Sequence, residues 1–174
     1  STISLPTDTH QQFYYLVDKI KRTISRKEDI DTFIEFEHGM GCTEENPDKQ
    51  IALGKSVYHA HWHIAPVSTS HIEEIGRDLH QRMGDFEIRP LMFSNCNYLE
   101  EAAEVVRSRP YLLIKEGSSG FVVVEDDQKS VPSQFFRRMI TELEDNNSSW
   151  DWKEKIDPDT TTQNLVKTFE LFGQ

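Results

Sequence analysis

The sequence predicts an α+β fold around an antiparallel sheet, and three observations predict it. Segments of helical and strand period interleave without regular βαβ spacing. Two short apolar runs flank Gly117-Ser118-Ser119-Gly120, the pattern of a hairpin. Core-forming aromatics are plentiful, with 10 Phe, 5 Tyr and 3 Trp in 174 residues. That length suits one compact domain, or a domain with a small appendage, at ~100–200 residues per domain. The chain is 36% hydrophobic and 28% charged, a globular mix without the ~20-residue apolar run of a membrane span.

Taken in order, Ile3 and Leu5 alternate with Ser4 and predict a short strand stopped at Pro6. From Thr9 to Ser25, Phe13, Leu16, Val17, Ile20 and Ile24 share one face of an amphipathic helix, with Thr7 or Asp8 as its cap. Thr32 to His38 reads as a strand with Ile34 and Phe36 on one face, Glu35 and Glu37 on the other. A polar stretch from Gly39 to Lys55 precedes a second strand, Ser56 to Ala65. Ser70 and Glu73 form a capping-box pattern ahead of a helix whose stripe is Ile72, Ile75, Leu79 and Met83.

Phe86–Phe93 reads as a strand, and Asn97 with Glu100 caps a short helix through Val106. The hairpin strands are Tyr111–Ile114 and Phe121–Val124, and helices at Ser133–Leu143 and Asn164–Phe172 close the chain. A soft boundary at Met83–Asp85 divides residues 1–84, a core, from 85–174, a C-terminal α+β extension packed on it.

Charge narrows the function. The formal net charge is −11, from 19 Lys and Arg against 30 Asp and Glu. Such a surface repels nucleic-acid backbones and anionic membranes, which makes both poor partners while leaving room for a local basic pocket. Cys42 and Cys96 form neither a CxxC pair nor a disulfide framework, and no signal peptide is visible, so the expected setting is reduced and cytoplasmic.

The distinctive feature is His59-Ala60-His61-Trp62-His63-Ile64, which holds three of the seven histidines. On a strand the three imidazoles share one face, while Ala60, Trp62 and Ile64 share the other and can enter a core. Three readings compete. The row is a solvated face without a role, a metal site, or a nucleophile with two supports. The outer pair of a strand triplet lies ~13 Å apart, too far to chelate one ion without a bent strand. A neutral imidazole nitrogen can instead attack phosphorus while its neighbours orient it and donate protons.

The run Gly54-Lys55-Ser56-Val57-Tyr58-His59-Ala60-His61-Trp62-His63-Ile64 resembles the histidine triad (HIT) superfamily of nucleotide hydrolases and transferases, whose signature is H-φ-H-φ-H-φ-φ. Pro6 through His10 and the Phe36-Glu37-His38-Gly39 strand end are similar to flanking segments of that family, so the resemblance covers about Ser1 to Pro66. It implies a HIT-like antiparallel sheet with flanking helices. The strand pair and short helix with which family members begin are expected to be missing from residues 1–84.

The resemblance also implies chemistry. His61 is the nucleophile on a nucleoside α-phosphate, flanked by His59 and His63, and Ser56 and His10 support the phosphate. His38 and Asn46 stand nearest the position of a phosphate-binding Asn. A third His in place of Gln places the chain on the hydrolase side. Expected substrates are dinucleoside polyphosphates, nucleoside phosphoramidates and adenylylated conjugates. No cofactor is required, Mg²⁺ accompanies a polyphosphate substrate, and the family habit is a homodimer. In the extension, Val131–Arg138 followed by Trp150-Asp151-Trp152 is similar to larger HIT-like proteins, and Gln134 and Arg137 are its candidate phosphate contacts. The competing readings are a catalytically weak nucleotide sensor or scaffold of the same fold, and a metal-dependent enzyme using the histidines.

Overall fold

A computed structural model describes residues 2–39, 61–92, 98–107, 109–125, 131–132, 134–144 and 158–172. Its centre is a five-stranded, wholly antiparallel sheet. The strands are β1 (Thr32–Gly39), β2 (His63–Val67), β3 (Glu87–Met92), β4 (Tyr111–Glu116) and β5 (Ser119–Val124), in the order β2-β1-β4-β5-β3. The helices are α1 (Thr7–Glu28), α2 (Ile72–Arg82), α3 (Tyr98–Val106), α4 (Phe135–Leu143) and α5 (Pro158–Phe172). The architecture is α+β, with helices flanking the sheet. None of the described helices is long and apolar enough to cross a membrane.

Each sheet face carries its own core. On one, Ile34 and Phe36 of β1, Val67 of β2, Leu112 and Ile114 of β4 and Val123 of β5 pack against α2 (Ile75, Leu79) and α4 (Phe136, Met139, Ile140). On the other, Tyr111, Leu113, Val122 and Val124 meet Ile3 and the α3 residues Tyr98, Leu99, Ala102 and Val106, with Phe13, Tyr14 and Trp62 alongside. The sheet is continuous across residues 83–85, because β1 from the first half pairs along Ile34–Gly39 with β4 from the second.

Covering both faces makes β1 unusual. The alternation in Phe33-Ile34-Glu35-Phe36-Glu37 suggests a solvent-facing acidic side, yet Glu35 and Glu37 are each only 1% exposed. Lys21 Nζ (2.7 Å), Lys115 Nζ (3.2 Å) and Trp62 Nε1 (3.0 Å) all donate to Glu35. The Thr2 backbone N–H (2.7 Å), the Thr2 hydroxyl (2.9 Å) and the Tyr111 hydroxyl donate to Glu37. Burial opposes the charge on Glu35, but Lys115 and Lys21 hold its carboxyl below the usual range. Burial also draws the Lys115 ammonium down against the pull of Glu35.

Several local expectations change in this setting. Residues Thr2–Ser4 form a short 3-10 turn rather than a strand, because Ile3 fills the second core and Thr2 binds Glu37. Leu16 is 54% exposed; His10 and Val17 are the buried positions of α1. Pro6 stands at the α1 N-cap, so neither Thr7 nor Asp8 caps it. At α2 the Ser70–Glu73 capping box is absent, since His71 occupies the N-cap and its backbone N–H donates to Glu116. The second strand begins at His63, and residues 56–60 of its expected span lie outside the described residues. The hairpin, β3, α3 and α4 stand where periodicity places them, within a few residues. Helix α5 starts earlier than expected, at Pro158.

Gly39 lies opposite Tyr111, and a Cβ there would come within 2.2 Å of the Tyr111 ring. That ring is fully buried and bound to Glu37, so it has nowhere to retreat. Gly39→Ala is expected to destabilise the fold by about 1–3 kcal/mol, read as a lower denaturant midpoint.

His71 is 6% exposed and donates from Nε2 to Glu144 (2.5 Å) and from Nδ1 to Glu74 (3.3 Å), tying the start of α2 to the end of α4. Burial opposes the imidazolium, but these hydrogen bonds raise its pKa above the ordinary value. Because the folded value is raised, the clamp contributes fully below about pH 6.5 and is lost as pH climbs through the folded value. The melting-temperature advantage of wild type over His71→Gln is therefore expected to shrink between mildly acidic and alkaline buffer.

Candidate functional site

Among the described residues β2 pairs with β1 alone at the edge of the sheet, and the register sets Phe36 opposite His63. Trp62, one residue earlier, turns to the second core. It stacks edge-on against Phe13 (5.3 Å between centroids), lies 5.7 Å from Tyr98 and donates to Glu35. Side chains alternate along a strand, so His63 is turned to the opposite face. There its ring lies flat on Phe36, with centroids 4.6 Å apart and planes 10° apart. Phe36 in turn meets Phe136 of α4 edge-on. The stack fixes the orientation of His63, whereas His61 is exposed.

α4 delivers the cation. Its periodic stripe buries Phe136, Met139 and Ile140, which leaves Arg137 half-buried and close enough to His63 to act on its charge. Gln134, the α4 N-cap, adopts a left-handed backbone (φ 63°), and its Oε1 accepts from Arg137 at 3.4 Å. Left-handed backbone costs an ordinary residue roughly 1–2 kcal/mol, and such strain gathers where side-chain placement matters. Arg138, the next residue, turns outward to Glu142 at 2.7 Å. Burial first, then Arg137 and His61, hold the His63 imidazole below the ordinary histidine value.

His38 lies two residues beyond Phe36 on the same face of β1. Its Nε2 donates to Glu125 Oε1 at 2.9 Å. One sheet face therefore carries His63 and His38, with Gln134 and Arg137 on α4 and, ahead of β2, His61 close enough to act on the charge of His63. His10 does not join them. It is 3% exposed on α1 against the opposite face, where Nδ1 donates to Glu100 Oε1 at 2.6 Å and Tyr14 donates to Glu100 Oε2 at 2.9 Å. The expected phosphate support from His10 is thus replaced by a buried pairing with α3, because its position on α1 faces the second core. Burial opposes the Glu100 carboxylate, but His10 and Tyr14 hold it below the usual range. Ser56, His59 and Asn46 lie outside the described residues.

Glu125 and Phe36 are the participants that residue patterns missed. Glu125 opens the acidic run Glu125-Asp126-Asp127, which reads as a solvated turn, yet it is 2% exposed, with His38 and the Val131 backbone N–H on its carboxylate. Phe36 reads as an ordinary core residue, and nothing local marks it as a platform for imidazole. Among the described residues, no group of three or more His, Cys, Asp or Glu is arranged to hold a metal ion. Comparisons with models of protein families, with curated proteins and with solved structures return no match.

Taken chemically, the cluster pairs an exposed imidazole with a fixed one beside a guanidinium and the first turn of a helix, a combination suited to an oxyanion. In a histidine titration followed by NMR, His63 is expected to titrate below about 6.5, and Arg137→Gln to move it upward by removing a nearby positive charge. Burial persists in that variant, so the value stays below that of a free histidine.

Proposed function

We propose that this chain is a HIT-type nucleotide hydrolase, acting at a nucleoside α-phosphate through a covalent nucleotidyl-histidine intermediate. His61 is the nucleophile; His59 and His63 flank it, and Ser56 stands at the strand start. The reading rests on the triad in the sequence. The observation that most supports it is the pairing of exposed His61 with half-buried, Phe36-stacked His63 under Arg137.

Burial and the guanidinium favour neutral His63, and a neutral neighbour adds no repulsion to the positive charge that His61 takes on when its nitrogen bonds phosphorus. Neutral His61 attacks phosphorus and the leaving oxygen departs. The resulting phosphorylated imidazole carries a positive charge, which makes it a good leaving group when water attacks. Arg137 and the first turn of α4 would meet the phosphate oxygens, with Gln134 holding the guanidinium in place. Dinucleoside polyphosphates, nucleoside phosphoramidates and adenylylated conjugates are the substrate classes. The role calls for no resident cofactor, with Mg²⁺ arriving on a polyphosphate, and is compatible with a cytoplasmic homodimer.

Intact-mass measurement of wild type and His61→Gly tests this directly, after rapid mixing with ATP, diadenosine polyphosphate or adenosine phosphoramidate and a basic quench. A nucleotidyl mass increment on wild type, absent from His61→Gly, is the expected result. Tight nucleotide binding without adduct or turnover would favour the sensor. Activity abolished by a chelator and restored by zinc or iron would favour the metal enzyme.

A further inference from the structure

A buried carboxylate stands behind the histidine face. Glu125, 2% exposed, closes β5, and its backbone N–H donates to the Pro110 carbonyl at 2.8 Å. Its Oε1 accepts both from His38 Nε2 (2.9 Å) and from the Val131 backbone N–H (3.0 Å). Val131 is three residues ahead of Gln134, so one carboxylate sets both the His38 ring and the approach to the helix that carries Arg137. A buried carboxylate on one imidazole nitrogen fixes the ring and the proton there and leaves the other nitrogen to exchange a proton with a ligand, as a carboxylate does behind a catalytic histidine. His38 Nδ1 has no hydrogen bond among the described residues, and the side chain is 28% exposed.

Alternate positions on a strand lie ~6.6–6.8 Å apart, which places His38 one side-chain step from Phe36, the residue on which His63 stacks. That is beyond contact with His63 and within reach of a group attached to a phosphate held there. Among the described residues of this face, His38 alone couples an unbonded ring nitrogen to a buried carboxylate.

Building on the hydrolase reading, we propose that His38 is the proton donor to the leaving group, with Glu125 as its positioning residue. When the His61 nitrogen bonds to phosphorus, the bond from phosphorus to the leaving oxygen or nitrogen breaks and its electron pair stays on that atom. His38 imidazolium transfers its Nδ1 proton to the atom and becomes neutral. In the second half, neutral His38 takes a proton from the attacking water as its oxygen bonds to phosphorus. The electron pair of the broken P–N bond returns to His61, and His38 is an imidazolium again.

A leaving-group series tests the assignment, using adenosine monophosphate esters of p-nitrophenol, whose anion departs unaided, and of a simple alcohol, which needs a proton. His38→Ala and His38→Gln are expected to slow the alkyl ester by about 10²- to 10⁴-fold while changing the p-nitrophenyl ester by less than about tenfold. Glu125→Gln should give a smaller loss with the same selectivity, and added imidazole should restore alkyl-ester turnover to His38→Gly. Near-UV circular dichroism establishes that each variant is folded, and His38→Gln retains a side chain able to bond Glu125. Equal losses on both esters, or none on either, would overturn the role of His38 while adduct formation on wild type left the hydrolase reading standing. Absence of adduct and turnover with every ester on wild type would overturn the hydrolase reading, and the inference with it.

Discussion

Much of this structure depends on two carboxylates buried along one strand. Glu35 and Glu37 sit on the same face of β1, and neither carboxyl could be buried there without donors on several sides. Glu35 therefore draws in Lys21 from α1, Lys115 from β4 and the Trp62 indole, while Glu37 holds Thr2 and Tyr111. These bonds fix where α1, the N-terminal turn and the start of β2 lie against the sheet. They are also specific, because shifting a partner by one residue would leave a charge in apolar surroundings.

The candidate site follows from that constraint. With Trp62 committed to Glu35 and to the aromatic cluster of Phe13 and Tyr98, the residue after it must point through the sheet to the other side. His63 lands on Phe36, next to the helix whose buried stripe leaves Arg137 half-buried and close enough to act on its charge. The chemistry proposed for the histidines thus borrows its geometry from a charge network on the opposite face. A chain of formal net charge −11 can still present a locally cationic spot, because the neighbouring acids engage elsewhere: Glu142 with Arg138 and Arg82, Glu144 with His71 and Ser68.

Periodicity carried the reading of elements whose core face is simple. The α4 stripe, the β4–β5 hairpin and the apolar side of β1 are spelled out by spacing, because each buries one continuous face. It failed where a polar residue is buried by a distant partner. Glu35 and Glu37 look solvated, His10 looks like a helix-start histidine free to meet phosphate, and Ser70 looks like a cap. Lys115, Glu100 and Glu116 each act from more than 40 positions away, and even the nearer partners, Lys21 on Glu35 and Thr2 on Glu37, belong to other elements.

By itself, the sequence determined the α+β class, the order of the elements after the N-terminal turn and the alternation that sets Trp62 and His63 on opposite sides. Local spacing and turn chemistry suffice for these, since they depend on neighbours along the chain. Only the tertiary structure decided which face of the sheet the histidines occupy. The same holds for Arg137 reaching them while Arg138 does not, for the departure of His10 to the far side, and for Glu125 standing behind His38. Those outcomes depend on burying charge against partners remote in sequence, and the energy of such burial is set by the whole packed environment.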